Sequence, residues 1–174
     1  MIRHATPLMF LHWLTVLAVV VAYVSSGDPT KASHVLSGQI HVASGLAVLL
    51  LVLVRLPVRL FAGVPANEPA SRWQQRAARF THGMLYALLL AVPLAGWAEL
   101  SDKAAQFSVL GWALPLPDAH ALWVRTLGSA HTVLGDALVW LAGLHAAAAL
   151  AHHYLLGDTT LARMVPARLL QRRG

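Results

Sequence analysis

Four apolar runs organise this chain, at about residues 7–24, 35–56, 80–100 and 127–156. Each is long enough for a bilayer core, which takes roughly 20 apolar residues as a helix. The pattern predicts four membrane-crossing helices. The first run follows a charged start and ends in Ser25, Ser26 and Gly27, which also fits the outline of a secretory signal peptide. Its length, with His12 and Trp13 embedded near its start, favours an uncleaved span. The third run contains Pro93, tolerable where neighbours satisfy the freed carbonyl. The fourth is longer than a bilayer core requires and is expected to tilt or project into water.

The fourth run carries the unusual polar positions. Histidines stand at 131, 145, 152 and 153. The fourteen residues from His131 to His145 close to within about 40° of whole turns and span roughly 21 Å. One helix therefore presents two imidazoles on one face, one near each membrane edge. His152 follows on nearly the same face. Intramembrane imidazoles are functional candidates because lipid offers them no partner.

Composition agrees with a membrane protein: 57% of the 174 residues are hydrophobic and 11% charged. The absence of cysteine excludes disulfides, c-type haem attachment and thiolate-held clusters. A formal charge of +6 would suit nucleic acid, but the basic residues sit between the apolar runs and read as topology signals. Ten of the thirteen lie at the N-terminus (Arg3), from Arg55 to Arg79, or in the C-terminal tail. Lys31, Lys103 and Arg125 alone lie in the other two connections. The positive-inside rule then puts both termini in the cytoplasm. The loop at 101–126, with Trp112, Pro115, Pro117 and Trp123, suits an interfacial segment with aromatic anchors. The basic lead-in at 71–80 is expected to be helical.

Depth follows from this topology. His41 and His131 share an outer level. His12, His82 and His145 share an inner level, with His152 and His153 nearer the cytoplasm. Two helices with histidines at matched depth can clamp a b-type haem, a flat apolar group held by axial imidazoles. Gly38, Gly45, Gly135 and Gly143 lie beside these histidines and would let a macrocycle approach the backbone, or would merely permit close helix packing. His4, His34 and His120 are expected at the solvated surface, and His153 at the headgroups. His82 has three readings: ligand to the inner haem, partner of a propionate, or quinone contact. Asp136, an acid inside the fourth span, pairs with an outer polar group or marks a wet pocket.

The segments LHWL (11–14), QIHVASGLAVLLLVLVRLPVRL (39–60), THGMLYALLLAVPLAGW (81–97) and GLHAAAALAHHYLLGDTTLARMVP (143–166) resemble the bacterial cytochrome b561 family. The resemblance covers most of the chain and implies one transmembrane cytochrome b domain over residues 1–174, an all-α four-helix bundle with two b haems. It extends to the cytochrome b subunits of formate dehydrogenases and nickel–iron hydrogenases. Carried over, His12 and His145 would hold the cytoplasmic haem iron, and His41 and His131 the periplasmic one. His82 and His152 match family positions near a plausible quinone site. Asp136 departs from the family, where a neutral polar residue is expected.

The resemblance also implies electron transfer in a bacterial inner membrane with ubiquinone as acceptor. Some members are similar to superoxide oxidases, which pass an electron from periplasmic superoxide through both haems. Lys31, Lys103 and Arg125 would then form a basic mouth attracting that anion, unless they serve only loop solubility. The competing readings are a cytochrome anchor for a separate dehydrogenase or hydrogenase, and a histidine-lined metal or proton transporter without haem.

Overall fold

The computed structural model describes residues 5–27, 30, 35–61, 71–155 and 157. Its elements in order are α1 (Ala5–Val24), α2 (Val35–Phe61), α3 (Arg72–Lys103), β1 (Phe107–Val109), β2 (Trp112–Leu114), α4 (Leu122–Ser129) and α5 (His131–Leu155). The four helices α1, α2, α3 and α5 are long and apolar enough to cross a membrane. Residues 1–4, 28–29, 31–34, 62–70, 156 and 158–174, with Arg3, His4, Lys31, His34 and the C-terminal arginines, lie outside the described residues.

Local chemistry sets the helix ends. Ser71 opens α3 with a capping box: its hydroxyl accepts from the Gln74 N–H at 3.2 Å, and its own N–H donates to Gln74 Oε1 at 2.8 Å. The basic lead-in is therefore the first turns of α3, as its pattern predicts. Ser25 closes α1 by donating its hydroxyl to the Val21 carbonyl at 2.6 Å. Such bonds satisfy carbonyls that a helix end leaves without partners.

The fourth apolar run departs from expectation. It is not one helix from 127 but two, separated at Ala130. The Ala130 N–H turns back to the Leu127 carbonyl, and α5 starts afresh at His131. Packing explains the break. A Cβ on Gly128 would lie 2.9 Å from the Glu99 backbone, so α4 rests directly on α3. That close approach turns the chain before it enters the bundle.

The expected interfacial loop holds more structure than its aromatic content suggests. Strands β1 and β2 form an antiparallel hairpin with Phe107 opposite Leu114. Leu110 and Gly111, at φ 50° and 86°, make the left-handed pair that a two-residue hairpin turn needs. Gln39 of α2 pins the hairpin through both ends of its amide: Nε2 donates to the Ser108 carbonyl at 2.7 Å, and Oε1 accepts from the Leu110 N–H at 3.3 Å. Trp97 Nε1 donates to the Pro115 carbonyl at 2.7 Å.

In the bundle, α1 packs on α2, α2 on α3, and α3 on α5. Ala18, Val48, Val52, Leu88, Leu89 and Leu138 form the shared core. Elsewhere large apolar side chains face outward, among them Leu17, Leu53 and Trp140. Lipid is the natural partner of such surfaces, since the backbone polar groups are already satisfied within the helices. The α5 backbone approaches α3 closely but stands off from α1 and α2. The histidine-bearing face of α5 therefore meets α1 and α2 across a gap.

Candidate functional site

At the level of His41 and His131 a cavity of about 400 Å³ opens between α1, α2, α3 and α5, with both rings in its wall. That volume lies in the range of small-molecule and cofactor clefts. The two ring centroids are 5.9 Å apart with an interplanar angle of 79°.

Each ring is held by a backbone carbonyl. His41 Nδ1 donates to the Ala22 carbonyl at 2.7 Å. Ala22 lies in the last turn of α1, where carbonyls lack helical partners. His131 Nδ1 donates to the Val92 carbonyl at 3.0 Å. A carbonyl can only accept, so Nδ1 carries the proton on each ring. Nε2 is left with its lone pair, the arrangement that orients imidazoles as metal ligands.

The His131 contact depends on a notch. Gly96 lies one turn beyond Val92 on α3, and a Cβ on it would come within 2.8 Å of His131 Cε1 and 3.1 Å of Nδ1. Only the missing side chain lets the ring sit against the helix. Gly45 and Gly135 behave differently. Both line the cavity, and a Cβ on either would meet nothing within 4 Å. They keep space open and relieve no contact.

These residues fit a haem. Two imidazoles from separate helices, 5.9 Å apart in the wall of one cavity and each with Nδ1 committed to a carbonyl, would hold its iron. Among the described residues, no group of three or more His, Cys, Asp or Glu side chains could hold a metal ion. A pair suffices for a macrocycle whose own nitrogens fill the other positions.

The second level is more crowded. His82 of α3 and His145 of α5 stand edge to face with centroids 5.3 Å apart. His12 of α1 is within electrostatic range of both, and of Arg55. Its Nδ1 is buried without a hydrogen-bond partner among the described residues. The two levels expected from sequence are thus both assembled in space. At the second, His82 is the ring that touches His145.

The remaining candidates fall as follows. His152 is half-buried near the end of α5, and the His153 ring stands 4.9 Å from that of Tyr154. His120 is exposed. Lys103 lines the larger cavity, with its ammonium 2.8 Å from the Glu99 carboxylate. Arg125 is exposed on α4 and is not among the residues lining that cavity. Asp136 lines the cavity, together with a neighbouring space of about 300 Å³ that Tyr23 and Gly143 share.

Sequence reading missed Gly96, whose role shows only when His131 is seated against it. It also treated Arg55 as a flanking charge, whereas the structure places it inside α2, beside Tyr86. A signal was present: Arg55 follows His41 by fourteen residues, the spacing that separates His131 from His145.

Comparison with known proteins adds family relations. A profile described as prokaryotic cytochrome b561 matches residues 3–167. A probable superoxide oxidase CybB of Yersinia pestis is 32% identical over 163 residues, 91% of this chain and 93% of that protein. Cytochrome b561 homolog 1 of Escherichia coli strain K12 is 30% identical over 173 residues, 95% and 98% of the two chains. Cytochrome b562 of Cereibacter sphaeroides is 33% identical over 141 residues, covering 81% of this chain and 73% of its own.

Proposed function

The chain belongs to the prokaryotic cytochrome b561 family of membrane electron-transfer proteins, which use haem b, and we propose that it is a di-haem oxidoreductase of the bacterial inner membrane delivering electrons to ubiquinone. His41 and His131 hold the periplasmic haem, and His12 and His145 the cytoplasmic one. Both termini are cytoplasmic, in keeping with the basic flanks. The observation that carries this reading is the outer pair: two imidazoles 5.9 Å apart, each with Nδ1 committed to a carbonyl, in the wall of one cavity.

Bound haem supplies reversible one-electron chemistry. The protein's residues do the rest. Held by these imidazoles, the group would take an electron from a donor that does not bind its iron. Superoxide is the donor best supported, because the Yersinia pestis relative is named a probable superoxide oxidase. Two superoxide anions each lose one electron and leave as dioxygen. One ubiquinone gains those two electrons and two protons and becomes ubiquinol. His152 or His82 passes protons to the quinone from the cytoplasmic side. Lys31, Lys103 and Arg125 are the proposed attraction for the anion, with the charge of Lys103 offset in part by Glu99 at 2.8 Å.

One observation favours a variant of the inner pairing. His82, not His12, is in ring contact with His145 at 5.3 Å. His82→Ala and His12→Ala separate the two: the inner haem is lost with the ligand and kept without the other ring. The enzymatic reading is tested by purified protein in liposomes supplied with superoxide and ubiquinone. Superoxide-dependent quinone reduction is expected. A flat response would leave a cytochrome that serves another donor, such as a dehydrogenase subunit that it anchors.

A further inference from the structure

Three buried side-chain polar atoms lack hydrogen-bond partners among the described residues: His12 Nδ1, Arg55 Nε and the Tyr86 hydroxyl. They come from α1, α2 and α3, yet they belong to one neighbourhood. The Arg55 guanidinium lies over the Tyr86 ring, 5.6 Å from its centroid. It is within electrostatic range of His12, His82 and His145. Buried polar groups without partners are rare, and Arg55 Nε with the Tyr86 hydroxyl, on neighbouring helices, indicates a polar ligand that the two share.

The charge identifies that ligand's class. Arg55 stays cationic, and no described carboxylate lies within ion-pair distance of it; Lys103 and Glu99 form the ion pair seen among the described residues. A half-buried guanidinium inside a span is costly without an anion. A neutral quinone carbonyl would leave its charge uncompensated. Arg55 also stands on the face of α2 that carries His41, about 21 Å further along the helix. It occupies on α2 the place that His145 occupies on α5. The helix that supplies an outer ligand thus supplies a cation at the inner level.

We propose that Arg55 binds a propionate carboxylate of the cytoplasmic haem, with the Tyr86 hydroxyl as a second donor; this rests on the di-haem reading above. A planar guanidinium suits a carboxylate through paired N–H donors. The guanidinium offsets the negative charge of the propionate near the iron and so favours the reduced haem, and removing it lowers the inner midpoint potential.

The test is an optical redox titration of the full-length protein as wild type, Arg55→Met, Arg55→Lys and Tyr86→Phe. The inner component is assigned in a His131→Ala background, and haem and ubiquinone contents are measured on the same samples. In Arg55→Met, the reduced-to-oxidised ratio of the inner haem should fall about tenfold at the wild-type midpoint, which is 59 mV for one electron. The outer component should not move. Arg55→Lys should shift the inner component in the same direction by less, and Tyr86→Phe by less again. Should Arg55→Met not retain the inner haem, the Arg55→Lys shift decides. An unmoved inner midpoint with both haems present overturns the proposal, including the case in which ubiquinone is lost instead. Wild type with a single haem overturns the di-haem reading itself.

Discussion

The outer and inner histidine levels solve one problem in two ways. At the outer level the rings are oriented by backbone. Ala22 and Val92 carbonyls hold Nδ1 of His41 and His131, and the Gly96 notch seats one ring against its neighbour helix. At the inner level side chains crowd together: His82 against His145, Arg55 over Tyr86, and buried nitrogen and oxygen atoms without partners among the described residues. The outer rings are already aimed by backbone carbonyls, whereas the inner level has buried polar atoms without partners among the described residues. The difference teaches that matched depth brings histidines together, but second partners decide how firmly each ring is aimed.

The largest test of this contrast removes ligands. His41→Ala or His131→Ala should abolish the outer haem and spare the inner, halving the haem-to-protein ratio. His12→Ala or His145→Ala should do the reverse. Haem content with optical redox titration reads both.

The glycines should sharpen it next. Gly135→Leu places a side chain in space that the structure leaves open. It should exclude the outer haem while leaving thermal stability of the haem-free chain unchanged or higher, since glycine inside a helix costs about 1 kcal/mol relative to alanine. Gly96→Ala acts through the ring. The added methyl must displace His131 or its helix, an overpacking cost of about 1–3 kcal/mol. Outer haem retention should weaken by roughly 5- to 150-fold, with the inner haem unaffected. Haem loss during dialysis against apomyoglobin distinguishes the two variants.

Charge changes should have smaller effects. Asp136→Asn removes a carboxylate from the outer cavity and should raise the outer midpoint, by on the order of 1 kcal/mol. Glu99→Gln leaves Lys103 without the ion pair seen at 2.8 Å. It should raise the rate of superoxide-driven reduction by less than about tenfold, and salt should erase the gain.

Much of this architecture was legible in the sequence because lipid enforces simple rules. A run of apolar residues must close its own hydrogen bonds, so the four spans follow from hydropathy alone. The fourteen-residue interval put His131 and His145 on one face of a helix, and α5 carries both. What sequence did not disclose depends on contacts between distant segments. The break at Ala130 comes from Gly128 resting on Glu99, which no local pattern announces. The hairpin at 107–114 is short, and its turn pair Leu110–Gly111 is a weak signal without the strands beside it. Gly96 reads as an ordinary helical glycine until a ring from α5 lies on it. Arg55 sits at the edge of an apolar run, where a snorkelling topology charge and a cation turned into the bundle look alike.

Two haems held at two depths by paired imidazoles from separate helices would both register in electron paramagnetic resonance of the oxidised, purified protein, with haem quantified on the same sample. Two low-spin ferric centres per chain are expected, one lost in His131→Ala and the other in His145→Ala. A single centre, a high-spin signal from an open axial position, or loss of both signals with either substitution would contradict it.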